Sequence, residues 1–162
     1  MRIDVTPFDH PDAVALIAEV QQEYVVRYGD VDQTTVSPDQ FAPPRGLFLV
    51  GHHEGLPVAC GGWRVHGEDA AELKRMYVRP SARGLGLARA MLAELERTAS
   101  AAGRRRLVLE TGLGQPEAIA LYRSSGYVEV PRFGYYADQP TAVHLGKLIA
   151  ETVEETTCPS TR

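Results

Sequence analysis

The stretch Arg83-Gly84-Leu85-Gly86-Leu87-Ala88 joins the end of one predicted β-strand directly to the start of a predicted α-helix. Its two glycines leave the backbone bare, so that phosphate oxygens can approach it closely. The first N–H groups of the helix have no intrahelical acceptor, and the helix dipole adds positive potential at the same end. Arg79, Arg83 and Arg89 add full positive charges nearby. The stretch therefore predicts a binding site for a pyrophosphate group.

Two better-known glycine motifs do not fit this turn. The dinucleotide-binding fingerprint requires Gly or Ala where Arg89 stands, and the P-loop requires a Gly-Lys-Ser/Thr sequence that the chain lacks. A helix start in which the glycines serve only the turn is the purely structural alternative.

Hydrophobic periodicity on either side of the turn predicts seven strands, three main helices and one short helix. The helix after the turn is expected to end at Gly103 and to place Leu85, Ala88, Leu92, Leu95 and Ala99 on its core face. The predicted strands are 3–5, 47–52, 57–66, 70–78, 106–111, 127–130 and 141–149; the other helices are 11–28, a short one at 37–41 and one that begins at Pro116.

The resulting order is β-α-(short α)-β-β-β-α-β-α-β-β, in which antiparallel hairpins surround one central β-α-β unit. A doubly wound nucleotide-binding fold would show a steadier alternation of strands and helices. The order therefore predicts a mixed α/β (α+β) fold with a central, mostly antiparallel sheet flanked by helices.

The composition is that of one globular domain, with 162 residues, 44% of them hydrophobic and 23% charged. We expect this domain to span residues 1–149 and the acidic, polar tail 150–162 to be disordered. The net charge of -4 argues against a nucleic-acid partner. No apolar run has the length of a membrane span, and residues 1–5 lack the apolar core of a signal peptide. The expectation is a cytoplasmic protein without membrane association.

The cysteines and histidines predict neither a disulfide framework nor a metal site. Cys60 and Cys158 are too few for such a framework, and the five histidines do not combine with cysteines or acidic residues at metal-ligand spacing. The adjacent His52 and His53 would point to opposite faces of a strand.

Three ordered segments resemble the GNAT superfamily of acetyl-CoA-dependent N-acetyltransferases. Arg83, Gly86 and Ala88 match its signature Gln/Arg-x-x-Gly-x-Gly/Ala. Residues 72–78 resemble the family's strand before the turn, and residues 118–127 resemble its segment Ala-x-x-Leu-Tyr-x-x-x-Gly-Phe/Tyr. The resemblance extends over about residues 47–149 and is weak over residues 1–46, where the family itself varies.

The resemblance implies a GNAT-like fold and acetyl-CoA as cosubstrate. By analogy, the backbone of Met76, Tyr77 and Val78 would pair with the pantetheine arm of CoA. The N–H groups of Arg83, Gly84, Leu85, Gly86, Leu87 and Ala88 would bind the pyrophosphate. Gln115 stands where the family often has an Asn that contacts CoA. Residues 104–106, three arginines, would either reach the ribose phosphate or form an exposed basic helix end.

Transfer to an amine requires a base, because an alkyl amine with a pKa near 10 is about one part in a thousand neutral at pH 7. The resemblance makes Glu72 the first candidate, since several family members place a catalytic glutamate there, and Glu110 on the next strand is the second. The alternative for each is an ion-paired strand carboxylate. Tyr122 matches the family tyrosine that protonates or hydrogen-bonds the leaving thiolate; the alternative is an amphipathic core tyrosine.

The expected acceptor is the primary amine of a small molecule, with a protein N-terminus or lysine as the alternative. A third possibility is a CoA-binding module without catalysis. The acceptor surface is expected around residues 29–46 and 131–140. The second loop carries Phe133, Tyr135 and Tyr136, which could enclose an apolar or cationic group. The alternative is a loop that folds onto its own core. Homodimers are common among similar proteins.

Overall fold

The computed structural model describes residues 1–149, and every helix and strand predicted from the sequence is present in it. The tail 150–162, predicted to be disordered, lies outside the described residues. The strands are β1 (Arg2–Val5), β2 (Gly46–His53), β3 (Leu56–His66), β4 (Ala70–Val78), β5 (Arg106–Gly112), β6 (Val128–Glu129) and β7 (Ala142–Leu148). The helices are α1 (Pro11–Tyr28), α2 (Leu87–Ala101) and α3 (Pro116–Ser124), with short 3₁₀ helices at Pro38–Phe41 and Pro80–Ala82.

The seven strands form one sheet in the order β1-β2-β3-β4-β5-β7-β6. All neighbouring strands are antiparallel except β4 and β5, which are parallel and are joined through α2. The mixed, mostly antiparallel sheet predicted from the element order is therefore confirmed.

The helices cover both faces of the sheet. On one face, Leu16 and Val20 of α1 pack against Phe48 and Tyr77 of the sheet. On the other face, α2 and Tyr122 of α3 pack against strand residues such as Leu107 and Leu109. The central strands are therefore apolar on both faces, which explains why the sequence shows continuous hydrophobic runs there.

The prediction that Leu85 belongs to the core face of α2 was wrong. The helix begins at Leu87, because Gly86 precedes it in a left-handed conformation with φ of 77°. Leu85 therefore lies in the turn and is 57% exposed. The buried face of the helix consists of Leu87, Met91, Leu92, Leu95 and Ala99.

A β-bulge interrupts β4 at its centre. Cys60 of β3 pairs with Tyr77, whereas Gly62 pairs with Lys74, so two residues of β4 oppose one residue of β3. The first of these two, Arg75, has φ of 58°. β4 pairs with β5 only over Ala70–Glu72, before the bulge. Beyond Glu72 the two parallel strands separate and leave an opening in the middle of the sheet.

Leu95→Ala should lower the free energy of unfolding by about 2–5 kcal/mol, because a fully buried leucine leaves a cavity when it is truncated. Leu85→Ala, the matched control in the exposed turn, should change it by less than about 0.5 kcal/mol. Urea unfolding followed by circular dichroism measures both. A comparable loss in the two variants would contradict the observed start of α2.

Candidate active site

The opening between β4 and β5 is the floor of a cleft of about 680 Å³. Residues 73–78 of β4 form one wall and Glu110, Thr111 and Gly112 of β5 form the opposite wall. The glycine turn before α2 lies at one end of the cleft, and the loops 29–37 and 131–140 contribute to the other end. The cleft that opens at the bulge thus extends from the predicted phosphate site to the predicted acceptor surface.

The turn offers a row of free backbone donors. Gly84 and Gly86 have φ of 82° and 77°, a conformation that few residues other than glycine adopt without strain. Within residues 1–149, none of the N–H groups of residues 84–89 donates to a protein acceptor outside the regular elements, whereas the N–H of Arg83 donates to the Pro80 carbonyl at 3.3 Å. The predicted set of donors therefore has one member, Arg83, that is already engaged.

The arginines near the turn differ in what they can reach. Arg83 donates to the Val78 carbonyl at 3.0 Å and to Glu23 at 2.8 Å, and it lines the cleft. Arg89 also lines the cleft and donates to the Ser124 hydroxyl at 2.7 Å. Arg79 is directed away, since its guanidinium pairs with Glu19 at 2.9 Å.

Residues 104–106 lie at the far end of α2 from the glycine turn. The 15 residues of the helix place them about 22 Å from that turn. Arg106 forms an ion pair with Asp69 at 3.7 Å, and Arg104 donates to loop and strand carbonyls. Of the two interpretations offered by the sequence, the structure favours the basic helix end and not the ribose phosphate contact.

Tyr122 lies midway along the cleft. Its side chain is 94% buried in the fold, its ring packs edge-on against Tyr127 with centroids 5.7 Å apart, and its hydroxyl lies 3.9 Å from the Met76 sulfur. Burial raises the pKa of Tyr122, so the hydroxyl keeps its proton at neutral pH and can donate it. Tyr122 therefore combines a core contact with a protonated hydroxyl on a residue that lines the cleft.

Gln115 is held in the cleft by the end of α1. Its Oε1 accepts from the Tyr28 hydroxyl at 3.1 Å and from the Thr111 hydroxyl at 3.4 Å. Arg27 donates to the Gly114 carbonyl at 2.8 Å and pairs with Glu117. The last turn of α1 thus bridges the opening at the level of the β5–α3 loop, an arrangement that no sequence pattern indicated.

Glu72 and Glu110, the two candidate bases, occupy different environments. Glu72 lies where β4 and β5 are still paired, does not line the cleft, and is bound to Arg64 with Nε–Oε1 of 2.9 Å. Arg64 also donates to the Thr35 carbonyl and the Gln40 side chain. Glu72 thus matches the ion-paired alternative given for it above.

Glu110 does line the cleft. Burial raises the pKa of its carboxyl to about 7, reinforced by the negative charges of Asp32 and Glu72 and opposed by Lys74. His144 lies 3.5 Å from this carboxyl, and burial lowers the pKa of that imidazole, which favours its neutral form. A carboxylate with a pKa near neutrality can accept and release a proton in the same cycle.

The two loops at the far end are joined to each other and to β4. The Gln33 N–H donates to the Tyr136 hydroxyl at 2.7 Å. Asp32 forms ion pairs with Lys74 and Arg75, both of which line the cleft. Burial alone would raise the pKa of Asp32, but Lys74, the Thr34 amide and Arg75 outweigh it and hold that pKa well below its ordinary value.

The three loop aromatics separate into two groups. Tyr135 and Tyr136 line the cleft and pack against each other with ring centroids 4.8 Å apart. Phe133 packs between His66 and His144 on the sheet, with centroids at 4.9 Å from each ring. The two tyrosines therefore line the cleft, whereas Phe133 packs onto the sheet, as the alternative of a loop folded onto its own core would place it.

The acceptor end includes residues that the sequence analysis did not single out: Asp32, Lys74 and Arg75. The available signal was the run Glu72-Leu73-Lys74-Arg75, which places three charges in a central strand that is otherwise apolar. Charged residues are rarely buried without a partner, so such a run in a central strand indicates either ion pairs or a site.

The family model of the acetyltransferase (GNAT) family matches residues 14–127. The chain belongs to this family. The match includes the bulged strand, the glycine turn and Tyr122, and it confirms the resemblance carried by the three sequence segments.

Individual relatives agree with this GNAT assignment. The chain is 36% identical over 135 residues to an IAA acetyltransferase from Azospirillum brasilense, covering 83% of this chain and 88% of that protein. A structure from Klebsiella pneumoniae assigned as an acyl-CoA N-acyltransferase is 30% identical, with a TM-score of 0.75 and coverage of 92% and 97%. A GNAT acetyltransferase from Elizabethkingia anophelis with acetyl-CoA bound shares the fold at 15% identity, with a TM-score of 0.66 and coverage of 91% and 97%. The GNAT protein described here is thus an acyltransferase.

Two further observations concern the described part of this GNAT chain. Over residues 1–149, no helix combines the length and the apolar character that crossing a membrane requires. No three His, Cys, Asp or Glu side chains of the same residues are grouped so that they could hold a metal ion.

Glu110→Gln should make the free energy of unfolding of the GNAT domain less dependent on pH. The pKa of Glu110 is higher in the folded state, about 7 against 4.5, so its stabilising effect is complete below pH 4.5 and is lost as the pH rises through 7. The shift corresponds to at most about 3 kcal/mol, and solvent in the cleft reduces the expected effect to about 1–2 kcal/mol.

The free energy of unfolding of the variant, taken relative to that of the parent protein, should therefore be about 1–2 kcal/mol higher at pH 8 than at pH 4. Urea unfolding of both proteins at the two pH values measures this difference. The comparison cancels groups that titrate independently of Glu110 in both proteins. A constant difference between the two proteins across this range would refute the raised pKa.

Proposed function

We propose that this GNAT protein transfers an acetyl group from acetyl-CoA to the primary amine of a small molecule. The observation that carries the proposal is one continuous cleft that leads from the free N–H groups of the glycine turn, past the Tyr122 hydroxyl, to the Glu110 carboxyl. Phosphate donors, a proton donor and a proton acceptor thus line a single cavity, as acetyl transfer from acetyl-CoA requires.

The residues present fit acetyl-CoA. Beyond Glu72 the edge of β4 that faces β5 has no strand partner, so the backbone of Met76, Tyr77 and Val78 is open to the amides of a pantetheine arm. The N–H groups of residues 84–89 would receive the pyrophosphate at the start of α2, with Arg83 and Arg89 beside them. Gln115 lies on the opposite wall, although its carbonyl oxygen already accepts two hydrogen bonds.

The reaction moves one acetyl group and releases one proton. The acceptor ammonium first loses a proton to the base, and the neutral nitrogen attacks the thioester carbonyl. A C–N bond forms and the C–S bond breaks, so that the sulfur leaves as a thiolate that takes a proton from the Tyr122 hydroxyl. The nitrogen, positively charged after its attack, loses its second proton to solvent as the neutral amide forms. Proton exchange with solvent then restores the tyrosine and the base.

Glu110 is the base in this proposal. It lines the cleft, and a pKa of about 7 leaves a substantial ionised fraction at neutral pH while keeping the carboxylate basic enough to take a proton. Glu72, the first candidate from the sequence, is less well placed because its carboxylate is bound to Arg64 away from the cleft.

A small acceptor is supported by the way in which the far end of the cleft is closed. Loops 29–37 and 131–140 are joined by the Gln33–Tyr136 hydrogen bond, which narrows the access that an extended peptide would need. The relative from Azospirillum brasilense, an IAA acetyltransferase, also favours a small molecule over a protein acceptor. The expected homodimer and cytoplasmic location stay predictions.

The purified protein should release free CoA thiol from acetyl-CoA when a primary amine is added, as measured with a thiol reagent over a panel of small amines. Tyr122→Phe should lower kcat by about 100- to 10,000-fold, the range of a lost general acid, and should leave the Kd of acetyl-CoA nearly unchanged. Isothermal titration calorimetry measures that Kd.

Gly86→Glu is the matched control, because it should abolish acetyl-CoA binding by adding bulk and negative charge at the phosphate donors. Binding of acetyl-CoA without thiol release for any amine would favour a CoA-binding module without catalysis. An active Tyr122→Phe variant would remove the proposed role of the hydroxyl.

The pH dependence of kcat/KM separates the two candidate bases. With Glu110 as the base, activity should rise through pH 7 as its carboxyl ionises, and Glu110→Gln should lower the rate by about 100-fold and remove that limb. Glu72→Gln, which neutralises the carboxylate paired with Arg64, should keep the limb. A profile that loses the limb in Glu72→Gln and keeps it in Glu110→Gln would reverse the assignment.

A further inference from the structure

At the acceptor end of the cleft, two buried cations share one carboxylate. The side chains of Lys74 and Arg75 are 7% and 3% exposed, and both contact the same oxygen, Oδ2, of Asp32. The Lys74 Nζ lies 3.1 Å from that oxygen. The other oxygen of Asp32 accepts the Thr34 N–H at 2.9 Å, so the carboxylate has both of its oxygens engaged.

The cations have more donor groups than Asp32 can satisfy. A guanidinium has five N–H groups and an ammonium three. Within residues 1–149 the structure gives each of these side chains only Asp32 as a hydrogen-bond partner, and the Arg75 Nε is buried with no acceptor at all. One buried positive charge is thus left without a counter-ion, which is costly unless a ligand supplies one.

Neighbouring carboxylates do not supply it. Glu72 is paired with Arg64, and Asp30 binds the N–H of Val31. Glu110 lies beyond ion-pair distance of Lys74 and, as the proposed base, becomes neutral each time it accepts a proton. The unmatched charge therefore persists at the catalytic step.

The unmatched donors line the same cleft as the proposed reacting centre. Lys74 and Arg75 line it together with Tyr122 and Glu110, and Arg75 directly precedes Met76, whose sulfur lies 3.9 Å from the Tyr122 hydroxyl. The bulge places Lys74 and Arg75 on one face of β4, as their shared contact with Asp32 shows. A molecule that presents an amine to the thioester can present an anion to these donors at the same time.

We infer that the acceptor is an amine that also carries a carboxylate on the same small skeleton, an amino acid or a close analogue, and that Arg75 and Lys74 bind this carboxylate. The planar guanidinium is suited to hold a carboxylate with two parallel hydrogen bonds, which fixes the direction of the amine as well as its distance. This inference rests on the proposed acetyl transfer and specifies its substrate class.

The test compares matched acceptors that differ only in the carboxylate: an α-, β- or γ-amino acid, its primary amide and its decarboxylated amine. With saturating acetyl-CoA, kcat/KM from thiol release should be about 10- to 100-fold higher for the best amino acid than for its amide or amine, the range expected for a charge-assisted hydrogen bond. At pH 7 the amine of the α-amide is neutral, and therefore nucleophilic, more often than the amine of the α-amino acid. This difference works against the expected preference for the amino acid, so the amide is a strict control.

Arg75→Lys keeps the charge and removes the planar fork, so the fold should be retained. It should raise KM for the amino acid by about 10-fold, with the decarboxylated amine unaffected. Arg79→Lys is the matched control, because Arg79 directly follows the same strand but pairs with Glu19 and does not line the cleft. It should leave the preference for the carboxylate unchanged. A purely structural role of Arg75 would instead affect both acceptors equally.

Each remaining outcome overturns the inference. Equal rates with and without the carboxylate, or transfer only to peptides with an amidated C-terminus, would exclude the substrate class and leave acetyl transfer standing. A preference that survives in Arg75→Lys would exclude Arg75 as the carboxylate-binding residue. Acetyl-CoA binding without transfer to any amine would remove both the inference and the proposed function.

Discussion

The extra residue in β4 at Arg75 is the constraint on which the rest of the site depends. A parallel pair of strands would normally continue its hydrogen bonds to the end of the shorter strand, but β4 and β5 remain paired only over Ala70–Glu72. A bulge bends its own strand and increases the local twist. β5 does not follow, because it is paired along its whole length, Arg106–Gly112, with β7. β4 bends away at the bulge while β5 stays paired with β7, so the two strands separate and the cleft opens between them.

The same bulge determines which charges must be buried. It places two consecutive cationic side chains on the α1 face, beneath a helix that packs through Leu16 and Val20. Such groups are tolerated in a core only when they are paired. Asp32 supplies the pairing from the segment that follows α1, and the Asp32 N–H in turn donates to Gln21 of that helix at 2.9 Å. The loop is therefore positioned by the charges of the strand.

Much of this architecture can be predicted from the sequence, because it is encoded locally. The strands and helices follow from apolar periodicity, and Gly29, Gly84 and Gly86 have the positive φ values that their turns require. Leu85 was misplaced because helical spacing alone cannot show that a left-handed Gly86 delays the start of α2. Tyr122 was identified from its match to a family segment, and its place on the cleft agrees with that role.

The relation between Glu72 and Glu110 could not be predicted, for a definite physical reason. Glu72 is in register with Val108, and Glu110 lies two residues further along β5, so both carboxylates are on the same face of the sheet. Which of them reaches the cleft depends on the residue at which the two strands separate. The bulge determines the residue at which β4 and β5 separate. The bulge itself can be identified only from the register of β3 against β4, since no residue pattern in β4 indicates an extra residue.

The two ends of the cleft recognise their ligands by different means. The end at the glycine turn relies on backbone N–H groups, whose position depends on φ and on the start of α2, and many side-chain sequences can preserve it. The other end relies on side chains from separate segments, including Tyr135 and Tyr136, which lie beyond the family match that ends at residue 127. Family membership therefore indicates the acyl donor, whereas the class of acceptor follows from the charged side chains at the other end of the cleft. Asp32 indicates which kind of ligand these cations bind. Its carboxylate already accepts hydrogen bonds from Lys74 and Arg75, and the N–H groups of the two side chains that remain without an acceptor are suited to a second carboxylate.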